Sequence, residues 1–390
     1  MGVTVTSTRV LHPDGALSEG RLCFSDGVIV GNENTTHVRW DMGTYLILPG
    51  IVDLHGDAFE RQIMPRPGVV FPIDLAFLDT DRQMVASGIT TAFHGVTYSW
   101  EPGLRGADMV RRIVGGIEGV RNRLACDTRI HLRWETFNLD AVDEISDWIK
   151  TGRIDALAFN DHLPMISAKA RHPEKLAPYA DRAGLPVESF ATLLRYAAAR
   201  EGEVDSAVGQ LAAAARDSGL PMLSHDDETP GMRRRYHELG SRLSEFPCNA
   251  ETAEESVSLG DPVVLGAPNV LRGGSHCNRL NAAEAVADGL CQILTSDYYY
   301  PSLLLAPFRL AASDRMPLAQ AWNLVSRNPA EAAGLADRGS LELGKRADAV
   351  VIDDSDPALP VVMAVFIAGR PVFMADALRG LHVDTFGAAA

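Results

Sequence analysis

The sequence predicts a (β/α)₈ barrel carrying a small β-sandwich, an α/β fold. Three observations lead there: short β-branched runs at both chain ends, a long middle where apolar strands alternate with helical segments, and a length of 390 residues, enough for both parts. The sandwich is expected over residues 1–50 and 338–378 and the barrel over 51–337.

In chain order, "VTVTSTRV", "GRLCFSDGVIVG" and "YLILPG" are β-branched or apolar runs separated by turns, which reads as small all-β structure. From residue 51 the strands "GITTAFHGV", "RIHLRWET", "DALAFNDH", "PMLSHDD", "PVVLGAPN" and "QILTSDYYY" are spaced by helical segments such as "ADMVRRIVGGIEGVRNRL", "VESFATLLRYAAAR" and "AVGQLAAAARDSG". After the helical "PLAQAWNLVSRNPAEAAG", the stretch "GSLELGKRADAVVIDDSDPALPVVMAVFIAGRPVF" returns to short strands and turns, so the two chain ends are expected to meet in one β-module.

Hydrophobic residues make up 46% and charged residues 22% of the chain, the balance of a globular protein. A formal net charge of −15 opposes binding to nucleic acid or an anionic membrane. No apolar run approaches the roughly 20 residues that span a bilayer. The five scattered cysteines lack a CxxC pair, so neither a disulfide framework nor a zinc ribbon is indicated, and a reducing cytoplasm is expected. An exposed barrel side is a common dimer face, which leaves a homo-oligomer open.

The chemistry is expected where strands end, because the strand ends of such a barrel share one rim. His55 and Asp57 form an HxD pair whose period of two turns both side chains to one side, where they can grip one metal. Glu135 lies on the same side as His131 and can bridge two metals. His162 and His225 each stop an apolar run, and Asp297 can hold a metal and take a proton from its water. Arg61, Arg66 and Arg272 follow strand ends in loops, where guanidinium forks suit phosphate oxygens. His276, beside Arg272, can hydrogen-bond a phosphate or protonate a leaving oxygen. His94, His131, Asp226 and Asp227 lie nearby without an assigned role.

These residues, together with "LPGIVDLHGDAFERQIMPRPGV", "SHDDE", "GAPNVLRGGSH", "TSDYYYPSLL" and the terminal "GSLELGKRADAVVID", resemble the amidohydrolase superfamily. Within it the chain resembles the α-D-ribose 1-methylphosphonate 5-triphosphate diphosphatase family of the carbon–phosphorus lyase pathway. The resemblance implies a metal-dependent barrel hydrolase that releases pyrophosphate from a small phosphorylated sugar. It implies two divalent ions (zinc, manganese or iron), one on His55 and Asp57 and one on His162 and His225. Glu135 would bridge them, with Asp297 as ligand and base. The family reads closer to H-T-D-N where Gly56 and Ala58 stand here.

Many amide-cleaving relatives bridge their metals with a carbamylated lysine on a barrel strand. The lysines here are Lys150, Lys169, Lys175 and Lys345, none inside a predicted strand, which favours Glu135 as the bridge. The rival readings are hydrolysis of an amide or cyclic amide by the same metals, and a barrel that binds a partner or metabolite without catalysis.

Overall fold

The computed structural model describes the chain except for residues 1, 32–35, 67, 171, 275–279, 314, 376–382 and 386–390. His276 lies outside the described residues.

Two sheets organise the fold. The first takes β1 (Gly2–Leu11), β2 (Leu17–Ser25), β3 (Val28–Val30), β4 (Thr36–Asp41) and β5 (Leu46–Pro49) from the start of the chain. The second is an eight-stranded parallel sheet of β6 (Ile51–Gly56), β7 (Ile89–Tyr98), β8 (Asp127–Glu135), β9 (Ala156–Asn160), β10 (Met222–His225), β11 (Leu243–Glu245), β12 (Val263–Gly266) and β13 (Ile293–Thr295), in sequential order. β14 (Ala349–Asp353), β15 (Val361–Ile367), β16 (Arg370–Met374) and β17 (Val383–Thr385) then return to the first sheet. There β14 lies antiparallel to β5, so both ends of the chain share one sheet as the sequence predicts.

The barrel closes between its first and last strands through a bridge from Gly56 to Asp297. Asp57 N donates to Asp297 O and Asp297 N to His55 O, both at 2.9 Å. Below this seam buried Asp53 accepts from Thr295 Oγ1 and Ser296 Oγ, each at 2.5 Å. A side chain at position 56 would crowd this join: a Cβ on Gly56 would lie 2.9 Å from Asp53 Oδ2 and from Ser296 Oγ. The local packing therefore favours glycine at this position.

Period-two alternation sorts the barrel wall into two faces. Val52, Leu54, Phe93, Ala158, Leu223 and Val264 belong to an apolar cluster that fills the barrel floor. On β8, Ile130, Leu132 and Trp134 pack outward against helices Ala107–Val120 and Val142–Thr151. The alternate residues His131, Arg133 and Glu135 are also buried, on the opposite face of the strand. Helices Leu163–Ala168, Pro173–Ala183 and Val187–Ala198 form an insertion after β9, packed on a core of its own around Phe137, Leu176 and Phe190. A further core joins β5 and β14 to the barrel, where Trp322 Nε1 donates to Pro49 O.

Candidate active site

The strand ends gather three groups able to hold a cation: His55, Asp57 and Asp297; His162, His225 and Asp226; and His55, His225 and Glu245. Within each, one donor atom per residue lies within 4.8 Å of the others. The structure thus brings His55, Asp57, His162, His225 and Asp297 together, and it adds Asp226 and Glu245.

The local backbone explains how carboxylates come to the mouth. Asp226, Phe246 and Asp297 follow β10, β11 and β13 with φ of 61°, 54° and 53°. Non-glycine residues in this left-handed region store strain, and three of them at strand ends on one rim mark a site whose surroundings over-determine its geometry. Behind Asp226 the neighbouring Asp227 is structural: it accepts from Ser224 Oγ at 2.5 Å and pairs with the fully buried Arg233, which also donates to Ser241 O at 2.6 Å.

Electrostatics divide the histidines. Burial, reinforced by Arg133, pushes His55 down to about 3, and burial holds His131 at about 4, so both rings are neutral at neutral pH. His55 Nδ1 donates to Glu245 Oε1 at 2.7 Å, which leaves Nε2 as the basic nitrogen, the usual arrangement behind a metal-binding imidazole. At His162 burial opposes the charged ring, but Glu135 and Asp226 outweigh it and lift the ring to about 9. Its Nδ1 donates to Glu135 Oε1 at 2.6 Å and its Nε2 to Asp226 Oδ2 at 3.1 Å. A proton shared between two carboxylates occupies a position that a divalent cation can take. Asp297 has its carboxyl raised well above the ordinary range by burial and then by the Asp57 charge.

The donor set fits a divalent ion. Glu245 Oε2 and His131 Nε2 are buried without a hydrogen-bond partner among the described residues, 3.8 Å apart. Unpaired buried polar atoms of this kind are costly and mark places where an ion or ligand completes the structure.

Glu135 and the arginines following the strand ends are not members of these groups. Both oxygens of Glu135 accept from His162, the second from the backbone N at 3.2 Å. Arg61 and Arg272 meet at Tyr298, donating to its carbonyl at 2.5 Å and its hydroxyl at 3.2 Å. Arg66 is exposed, with a backbone bridge to Val69. None of these three arginines lines the cleft over the ligand groups, whereas Arg133, Arg105 and Arg182 do. Arg133 donates through Nη2 to His225 Nε2 at 3.1 Å and lies 3.6 Å from Asp57 Oδ2. His94 faces away from the site, wedged against Phe59 and Phe77.

Comparison with known proteins agrees with this architecture. Residues 209–378 match the amidohydrolase family. Over 318 residues the chain is 34% identical to the alpha-D-ribose 1-methylphosphonate 5-triphosphate diphosphatase of Escherichia coli K12, covering 80% of this chain and 84% of that protein. The chain belongs to the amidohydrolase superfamily. It is a metal-dependent hydrolase of that superfamily, with a barrel whose strand ends carry the histidine and carboxylate clusters. Two solved superfamily-like folds are N-acetyl-D-glucosamine-6-phosphate deacetylase from Mycobacterium smegmatis (17% identity, TM-score 0.61, 95% of this chain and 99% of that one) and guanine deaminase from C. acetobutylicum (12%, 0.62, 96% and 100%). At such identities they speak for the fold of this amidohydrolase alone. Among the described residues, no helix is long and apolar enough to cross a membrane.

Proposed function

We propose that this amidohydrolase cleaves the phosphoanhydride of α-D-ribose 1-methylphosphonate 5-triphosphate, releasing pyrophosphate and leaving the 5-monophosphate. The observation that carries the reading is the 34% identity to the E. coli diphosphatase along 80% of the chain. Guanidinium groups lining the same cleft as the ligand clusters support an anionic substrate.

In this reading His55, Asp57 and Asp297 hold one divalent ion, and His162 and His225, with Asp226, hold a second. Their nitrogen and carboxylate donors suit zinc, manganese or iron. Glu135 would join the second ion through its grip on His162. Such ions supply Lewis acidity, activating a water and neutralising charge on phosphoryl oxygens. Asp297 accepts the proton of the attacking water at its carboxylate. Glu245 fixes the His55 ring, and Arg133 compensates the carboxylates around it. Arg61 and Arg272, joined through Tyr298 outside the lining of the cleft, are kept as the proposed contacts of the departing pyrophosphate. His276 is kept as the proposed donor to the leaving oxygen. The barrel, as residues 51–337, would carry all of this, with residues 1–50 and 338–378 as its buttress.

Phosphorus NMR of the metal-loaded protein with this triphosphate tests the reading, with Asp297→Asn as control. Enzyme-dependent appearance of pyrophosphate and the 5-monophosphate is expected. An intact triphosphate with metal demonstrably bound overturns the substrate and turns attention to amides.

A further inference from the structure

The cleft over the barrel has two lobes. One, of about 370 Å³, is lined by the ligand residues; beside it lies another of about 260 Å³. Asp57, Arg133 and His162 stand at their junction and line both. The second lobe is walled by the loop after β7, which brings Trp100, Glu101 and Arg105, and by helix Pro173–Ala183, which brings Tyr179 and Arg182. Nothing in the hydrolytic chemistry proposed above uses this wall.

Its groups are held in place yet incompletely paired. Arg105 is locked by a two-pronged pair with Glu60, at 3.0 and 2.9 Å. Arg182 directs both Nε and Nη2 at a single oxygen, Glu101 Oε1, at 2.8 and 2.5 Å. The other oxygen, Glu101 Oε2, is buried and has no hydrogen-bond partner among the described residues. The same is true of Thr97 Oγ1 and of Arg133 Nε. Glu101 is 2% exposed and Thr97 3% exposed, and both line the lobe. Such unpaired atoms are costly, so a carboxylate oxygen, a hydroxyl and a guanidinium nitrogen without partners, all on residues that line one cavity, describe the ligand that would complete them.

That ligand must accept from guanidiniums and also donate to a carboxylate. A fully deprotonated phosphoryl group meets the first demand and fails the second, whereas an anionic sugar, with its ring hydroxyls, meets both. Trp100 and Tyr179 add rings that offer an apolar face beside polar groups, suited to the C–H face of a sugar. We infer that the second lobe is the subsite for the non-reacting end of the substrate, a pentose bearing an anomeric phosphonate or phosphate. Its anionic oxygens accept from Arg182 and Arg133, and a ring hydroxyl donates to Glu101 Oε2. This rests on the proposed function for the placement of the triphosphate in the ligand lobe, and it makes Arg182, Glu101 and Thr97 specificity-determining residues.

The test compares α-D-ribose 1-methylphosphonate 5-triphosphate with ribose 5-triphosphate, which has a free anomeric hydroxyl, as substrates of the parent, Arg182→Gln and Thr97→Val proteins. A site built around hydrogen bonds rejects an analogue that lacks the bonded group, so the parent should favour the phosphonate ester on the order of 100-fold in kcat/KM. Arg182→Gln should compress that preference to within about tenfold, chiefly by raising KM. Thr97→Val, a near-isosteric change that leaves the guanidiniums in place, should raise KM a few-fold at similar kcat. Equal use of both substrates by the parent, or an undiminished preference in Arg182→Gln, overturns the subsite. Calorimetric titration of the metal-loaded full chain with α-D-ribose 1-phosphate gives a second readout that stands when neither triphosphate is cleaved, the outcome that removes the proposed function. Binding at least tenfold tighter than that of inorganic phosphate, and lost in Arg182→Gln, sustains the subsite. Equal affinity for the two ligands, or binding unaltered by the substitution, overturns it.

Discussion

His55 and His94 lie close together on neighbouring strands, the second opposite Gly56 in the ladder, yet they have opposite fates. His55 belongs to the ligand groups and is held by Glu245, whereas His94 faces Phe59 and Phe77, with neither ring nitrogen partnered among the described residues. Burial pushes both down to about 3. The pair teaches that residue type and burial do not assign a role in a barrel wall: the face of the strand does. One face assembles chemistry, and the other fills the layer between strands and helices.

The comparison is tested most severely at Asp297. Asp297→Asn keeps the shape of the site and removes the proposed base, so turnover should fall about 10²–10⁴-fold with the melting temperature little changed. A near-normal rate in a steady-state assay removes Asp297 from that role. Next comes Glu245→Gln. It keeps a hydrogen-bonding group against His55 but withdraws the charge, and metal affinity should weaken about 10–100-fold in a chelator competition. Equal affinity would make Glu245 a packing residue like those on the outer face. Gly56→Ala pushes a methyl into the Asp53–Ser296 join, and denaturant unfolding should show a loss of about 1–3 kcal/mol.

The smallest effect belongs to the outer face. His94 is neutral when folded down to about 3, whereas in the unfolded chain it takes up a proton below about 6.5. Its contribution is therefore nil above that pH, and it destabilises the fold progressively as pH falls through the window between the two values. At pH 5 the penalty is about 2 kcal/mol. Stability measured against pH for His94→Leu should lose that part of its acid limb; an unaltered slope would show that the ring is not held neutral.

How far the sequence spoke for itself follows the length of each strand. On β8, "RIHLRWE" alternates apolar and polar residues, so the common face of His131 and Glu135 is legible, although nothing in the pattern marks Arg133, between them in the same row, as a cleft residue. On β7, "ITTAFHGV" has apolar residues on both faces, and no pattern separates His94 from a ligand histidine. β11 is three residues, "LSE", too short to show any period, and with that strand unseen Glu245 was unseen as well. Asp226 was visible beside His225, but the left-handed turn that swings it to His162 is a tertiary property. The arginines just after strand ends read as the anion contacts, although Arg61 and Arg272 sit in short helices; those lining the cleft come from β8, from the β7 loop and from a helix of the insertion, whose placement no local pattern reports.

The seam between β6 and β13 joins the first strand of the barrel to the last. Asp57 and Asp297 are 240 positions apart and are linked through each other's strand ends, so a nascent chain that has not yet delivered its last barrel strand owns only part of the ligand set. Ribosomal synthesis thus supplies the final ligand late, after most of the parallel sheet can pair. In the proposed reading, capture of metal by the complete set would wait for that last strand.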